Sequence, residues 1–448
     1  MTVAAAACLA VALVPVCGGG DVTATAGGWD ETGEVTYWMW DSAQLPAYQQ
    51  CATDFEATHP DIDISTEQLG WDDYWGRLLT AFVADAAPDV FVNHTSKTGD
   101  FITRGLIEPI DQLVARDGPD LAQYVPGTAE LWIGPDGQRY GLPKDFDTIG
   151  AFYNVEMAEA AGISAEQMQN LTWNPEDGGT YEDVIARLSV DANGVRGDEP
   201  GFDPANVATY GLGLNKNPSG AGQSDWANYA ATLGWRHTDK APWGTRFNYD
   251  DPRFQDTTAW WRGLIEKGYM PRLELTVGGQ TSQLLQSGTI AMATEGSWQI
   301  SNFAGLGGTE LATAPMPIGP AGERASMTNS LADSIAAGSD NKGAAWQWVR
   351  YLASEECQSV VAQGGVVVPA IESTVETAEA AIGESGLAIT PFTRNFREGT
   401  TFPYPATLHA GEIDAIMGTA MERVMACQAD PASFTEANAE VNALFTQG

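Results

Sequence analysis

Hydrophobic and polar positions along the chain change period several times, and each change marks an element. Glu34-Val-Thr-Tyr-Trp-Met-Trp40 is rich in β-branched and aromatic residues and predicts a strand. Asp41-Ser42 then reads as a helix N-cap, Leu45 to Thr58 as a helix, and His59-Pro60 as its end. Ile62 to Glu67 predicts a second strand. Asp72 to Ala84 predicts an amphipathic helix, and Ala87 to Val92 a third strand. Strand, helix, strand, helix, strand is the opening of a doubly wound parallel sheet. Its strand ends carry Trp40-Asp41, Gly70-Trp71 and Asn93-His94, which should face one crevice.

Further on, Glu182 to Leu188, Asp225 to Leu233 and Asp250 to Lys267 carry helical spacing, and Asp191 to Pro204 reads as a loop. Thr289 to Ala293 is a short apolar run between Gly288 and Thr294-Glu-Gly-Ser297, which predicts a buried strand. Trp298 should stand just past its end, on a turn where Gly296 takes a positive φ. Ser330 to Ala337 reads as extended, and helices are predicted at Gly343 to Leu352, Gly411 to Ala426 and Phe434 to Phe445. The elements alternate throughout without repeats, so the chain is α/β.

Composition narrows the function classes. With 448 residues the chain can form two domains or one large one. A net charge of −37, with only 22 Lys and Arg, excludes a generic nucleic-acid binder, because phosphate contacts need cations. It also argues against a basic face on anionic lipid. The 15 Trp exceed what a core of this size needs and suggest aromatic surface put to use. Val3 to Val16 is an apolar run too short to span a bilayer as a stable helix, and it reads as a signal-peptide segment. Cys17, followed by a Gly/Thr/Ala tether, resembles a lipoprotein attachment cysteine; a plain secretory signal is the alternative. Cys51, Cys357 and Cys427 remain for the folded part, and one disulfide plus a free thiol is the simplest outcome. Their spacing does not suit zinc, and Asp191-Ala-Asn-Gly does not suit an EF-hand, so neither a metal nor a cofactor is expected.

An ordered set of motifs then points to a family. Asp73-Tyr74, Leu78-Leu-Thr-Ala81, Ala87-Pro-Asp-Val-Phe91 and Gly105-Leu-Ile-Glu-Pro-Ile-Asp111 resemble the extracellular solute-binding proteins of bacterial sugar ABC importers, the maltodextrin-binding-protein-like group. So do Tyr140-Gly-Leu-Pro-Lys-Asp-Phe-Asp147 with Phe152-Tyr-Asn154, the Gly288 to Trp298 stretch, Pro315 to Gly319, Ala344 to Val349 and Gly364 to Pro369. The resemblance implies a two-lobed periplasmic-binding-protein-like fold, each lobe a doubly wound sheet flanked by helices, joined by crossing hinge segments. Residues 1–17 would be the signal peptide and 18–32 the tether. Residues 33–145 with 330–375 would form lobe 1, and 146–329 with 376–448 lobe 2. It further implies a non-catalytic receptor outside the cytoplasm, a monomer, that binds an oligosaccharide in the interlobe cleft and delivers it to a membrane permease.

A sugar offers hydroxyl edges for polar groups and C–H faces for aromatic rings. The candidates for those contacts are Trp40, Asp41, Trp71, Asn93, His94, Lys144, Asp145, Asp147, Trp226, Trp298, Asn329 and Glu412. Asp145 and Asp147 alternate along an extended segment and should point the same way, with Lys144 opposite. By resemblance, Asp147 matches a ligand-binding acid, while Trp226 and Glu412 come from regions of divergent length. Asp41 can serve as a helix cap as well. A secreted glycoside hydrolase would use the same aromatics with a pair of acids and is the main rival; a non-sugar solute on the same fold is another.

Overall fold

The computed structural model describes residues 29–214, 220–276 and 280–446. The N-terminal stretch with Cys8 and Cys17, expected to be a signal peptide and anchor, lies outside them, as does the start of the loop from Asn215 to Trp226.

The first sheet begins as the alternation predicts. β1 (Gly33–Met39) pairs in parallel with β2 (Ile62–Gln68) and with β3 (Val90–His94). The crossover helix Leu45–Thr58 carries Pro46 in its first turn and buries Tyr48, Cys51, Ala52 and Phe55. The helix Trp71–Val83 buries Tyr74, Leu78 and Ala81 on the other crossover. The parallel pattern stops at β3. Next come β4 (Pro143–Asp147), β5 (Ile149–Asn154), the small pair β6 (Val190–Asp191) and β7 (Val207–Thr209), β8 (Met292–Gly296) and β9 (Leu311–Pro315). The chain ends with β10 (Ser326–Ile335), β11 (Val368–Pro369) and β12 (Thr401–Pro403). The first sheet runs β11-β4-β10-β3-β1-β2, with β12 beside β10; β10 is antiparallel to both β3 and β4. The second sheet is only β8-β5-β9, antiparallel throughout, and so differs from the doubly wound arrangement expected for it.

Each sheet has its own core. Val35, Tyr37, Val90 and Val92 pack with Trp346, Trp348 and Val349 around the first. Trp173, Trp226, Tyr229, Trp235, Trp261 and the closing helices Ala410–Met425 and Phe434–Ala443 fill the second. A third cluster joins them, where Phe146 and Val368 of the first sheet meet Phe152, Ala293, Leu387 and Phe392. The sheets are therefore two lobes on a shared apolar joint, reached through β4–β5 and β10. Cys51 and Cys357 pair in lobe 1, with Cα atoms 5.3 Å apart, and Cys427 is free and exposed.

Two expectations about the aromatic residues change. Nine of the fifteen Trp are buried (Trp38, Trp132, Trp173, Trp226, Trp235, Trp260, Trp261, Trp346 and Trp348), so most of the excess builds cores and not surface. The strand before Trp298 begins at Met292, three residues later than the apolar run suggested, because pairing with β5 starts there. Gly296 has φ −80°, an ordinary extended value. Its glycine is required for another reason: a Cβ there would lie inside the Trp298 ring.

Candidate functional site

β10 is the unusual element. All ten residues, Ser-Met-Thr-Asn-Ser-Leu-Ala-Asp-Ser-Ile, are buried, yet most are polar. A buried polar group is costly unless it is hydrogen-bonded, so each needs a partner. Ser326 Oγ accepts from the Ile149 N–H at 2.8 Å, and Ser330 Oγ donates to the Asp145 carbonyl at 2.9 Å. Ser334 accepts from Asn93 Nδ2 at 3.0 Å. Asp333 accepts from Tyr37 at 2.9 Å and lies 3.4 Å from Lys144 Nζ. Asn329 is the exception, because its Oδ1 makes no hydrogen bond.

The register explains what stands around Asn329. It faces Asp147 across the β10–β4 pair, and Leu331 faces Asp145 on one side and His94 on the other. Asp145 and Asp147 thus share a face, as expected. An irregularity beside Leu331 prevents the simple alternation for Lys144. Lys144 is buried, bonds Tyr37 at 3.0 Å and sits 3.9 Å from the centre of the Tyr48 ring. It belongs to the lobe 1 core and is not a free donor for a ligand.

Asp145 is fully buried and neither of its carboxylate oxygens has a partner. Burial pushes its carboxyl well above the usual range, and the neighbouring Asp147 adds to this. Asp147 accepts from Ser297 Oγ at 2.6 Å, yet burial still raises it to about 6, with Asp41 contributing. Asp41 spends both oxygens locally, on the Ala43 N–H at 2.8 Å and Gln44 Nε2 at 2.7 Å. It therefore organises the turn before the first helix, whose N-cap is Gln44, and acts on the site through its charge.

The remaining candidates divide by what they touch. Asn93 is used up by Ser334 and by the His94 N–H at 2.8 Å. His94 Nδ1 accepts from the Ser96 N–H at 3.0 Å, and Nε2 lies 2.8 Å from the Asn329 amide nitrogen. Burial, with Lys97 nearby, pushes the imidazole down to about 3, so it is neutral. Trp40 is wedged edge-on against Trp71 and Tyr74, with ring centres 5.0 and 5.2 Å apart. Trp71 opens the next helix, is 44% exposed and meets the His94 ring at 5.9 Å. On the lobe 2 side, Trp298 is half-buried against that lobe's core. Trp226 is not at the site, for it is wholly buried and packs on Trp235, His237 and Phe254. Glu412 is exposed on the first turn of its helix, 3.9 Å from His409, and its charge acts on Asp100.

Sequence reasoning missed three groups. Tyr404 meets the His94 ring edge-on at 5.8 Å from the other lobe, and nothing but its place between two prolines, Pro403 and Pro405, could have flagged it. Ser297 holds Asp147 and lies in the stretch already singled out. Glu295, one pair before the end of β8, is buried, bonds Thr281 at 3.0 Å and is raised by burial to about 7.

The lobes also touch away from the joint. Trp243 Nε1 donates to the Ile133 carbonyl at 2.7 Å, and a Cβ at Gly99 would run into the Thr407 carbonyl. Gly99 and Ile133 belong to lobe 1, Trp243 and Thr407 to lobe 2. The cleft is closed at this end. Among the described residues no cluster of His, Cys, Asp and Glu could hold a metal ion, and no helix is long and apolar enough to cross a membrane.

A hinged pair of lobes with an unsatisfied polar face between them has a close counterpart in sequence. Residues 50–383 match the model of the bacterial extracellular solute-binding proteins. The chain belongs to that family. The family is one of extracellular, non-catalytic solute-binding proteins. The lactose-binding protein of Rhizobium radiobacter is 27% identical over 146 residues, 32% of this chain and 34% of that protein. The maltotriose-binding protein of Pyrococcus abyssi is 28% identical over 141 residues, 31% and 30% of the two chains. The matched part is thus about a third of the length of these relatives. Among solved structures, a Listeria monocytogenes ABC substrate-binding protein in complex with cycloalternan has a TM-score of 0.76 at 17% identity, covering 93% of this chain and 100% of that one. The M. tuberculosis UspC protein has a TM-score of 0.72 at 24% identity, covering 92% and 99%. The fold of this solute-binding protein is therefore the two-lobed one.

Proposed function

We propose that this solute-binding protein is the receptor of an ABC importer, that its cargo is a neutral oligosaccharide, and that it hands the cargo to a membrane permease. One observation supports a sugar above other solutes. Asp145 offers two buried oxygens with no protein partner, beside Asp147 and Asn329 and between lobes that present Trp71, Tyr404 and Trp298. Leaving such oxygens empty costs about 1–3 kcal/mol each, which hydroxyl donors would recover. Lys144, beside this face, is held by Tyr37 and Asp333, which disfavours anionic cargo. The names of the lactose-, maltotriose- and cycloalternan-binding relatives agree with this reading.

Binding would proceed by hinge closure. The lobes rotate about β4–β5 and β10, and ligand contacts from both sides favour the closed state. The division into residues 33–145 with 330–375 and 146–329 with 376–448 is part of the same proposal. So are a lipid anchor on Cys17 and a monomeric state. Titration of the purified chain with di- and trisaccharides, followed by calorimetry and intrinsic Trp fluorescence, tests the sugar reading. Saturable binding of one or more is expected; silence across the panel overturns it.

A further inference from the structure

The His94–Asn329 contact decides which end of the amide a ligand meets. The Ser96 backbone N–H, which can only donate, points at His94 Nδ1 from 3.0 Å. Nδ1 therefore carries a lone pair, and in a neutral imidazole the proton must sit on Nε2. The low affinity of this buried ring for a second proton, with a value of about 3, agrees. Nε2–H then faces the Asn329 amide nitrogen at 2.8 Å, where two donors would repel. A half-turn of the amide replaces that nitrogen by Oδ1 at the same point and restores a hydrogen bond. The same half-turn moves the NH2 to the end that makes no bond as an oxygen. That end lies on the face shared with Asp147.

We propose that His94 is a positioning residue for specificity: its Nε2–H fixes the Asn329 amide with the NH2 toward the cleft, so that the ligand group met there must be a hydrogen-bond acceptor, an assignment that rests on the sugar-binding reading of the cleft. Without this device Asn329 would present a further acceptor beside Asp147. With it, a ligand hydroxyl can donate to Asp145 while another accepts from Asn329. The cleft thus reads the direction of hydrogen bonds as well as their number.

Two measurements test this. The first needs no ligand. In the 15N-histidine-labelled full chain, long-range 1H–15N spectra should show His94 as the Nε2-protonated neutral tautomer from about pH 5 to about pH 8. An Nδ1-protonated ring, or an imidazolium in that range, overturns the assignment. The second uses the saccharide that binds best in the panel, with its monodeoxy and monofluoro-deoxy analogues, since carbon-bound fluorine accepts weakly but never donates. At one hydroxyl position the deoxy analogue should lose about tenfold in affinity while the fluoro analogue stays within about threefold. His94→Leu should abolish that distinction, and His94→Gln, which keeps an N–H near the same point, should restore it. If no position shows the distinction, or if it survives in His94→Leu, the positioning role is overturned. Failure of every saccharide to bind overturns the sugar reading instead, and the tautomer measurement still judges the amide.

Discussion

The two lobes bury polar and aromatic groups in opposite ways. Lobe 1 brings Asp145, Asp333, Lys144, Asn93 and Ser334 into its sheet and ties nearly all of them to partners, leaving the Asp145 oxygens open. Lobe 2 has three strands and a core of packed rings, with Trp226 wholly inside and Trp298 left at its edge. On the proposed sugar-binding reading, lobe 1 discriminates and lobe 2 covers. Polar groups held on rigid strands select by direction, whereas an apolar wall adds affinity with little choice.

Substitutions in each lobe should separate these roles. The largest effect is expected from Trp226→Ala, which should cost about 3–5 kcal/mol of stability through the cavity it leaves; a mild loss in chemical denaturation would mean the ring is not core. Asp145→Asn should leave the free protein as stable or more so, since a carboxyl displaced upward by burial is removed. It should weaken sugar binding by about 1.5–3 kcal/mol in calorimetry. Trp298→Ala should lose about 1–3 kcal/mol of binding with the fold intact, and unchanged affinity would remove this ring from the site. Gly99→Ala tests closure itself. Its Cβ would meet the Thr407 carbonyl in this structure, so if hinge closure makes that contact, affinity should fall about tenfold and small-angle scattering should report a larger radius. An unchanged radius and affinity would place the closing contact elsewhere.

The smallest effect is a pH dependence. Glu295, raised to about 7, and Asp147, raised to about 6, hold their protons more tightly in the native chain than in the unfolded one. Their stabilising contribution is complete below the unfolded values and is lost as pH rises through the native ones. Tm should therefore fall by about 2–4 °C between about pH 4.5 and about pH 7, and Glu295→Gln should flatten the curve. Sugar affinity should move the other way, because ionised Asp147 is the better acceptor. Parallel trends in both would sink this account.

Much of lobe 1 was readable in the sequence, because its strands and crossover helices keep a single period and end on caps or prolines. The Leu45–Thr58 helix lies where it was expected. Alternation in the sequence puts Asp145 and Asp147 on one face, but the register that sets Asn329 opposite Asp147 could not be read from it. Trp226 misled, since a Trp at the start of a helix has the same pattern whether its ring turns to the core or to the cleft. Lys144 misled because an irregular strand pair cannot be seen in one strand alone. The antiparallel second sheet was hidden for the same reason: β8 and β9 lie far along the chain from β5, and only tertiary pairing reveals their direction.

The Cys51–Cys357 bond and the packing of Phe247 on Phe445 have a consequence for how the chain is made. Lobe 1 begins near residue 33 but needs residues beyond 350 to fill its core, and lobe 2 is completed by the two closing helices. Lobe 1 cannot finish before Ile371 has been made, nor lobe 2 before the two closing helices have. Contacts of such long sequence separation form slowly and expose apolar surface meanwhile.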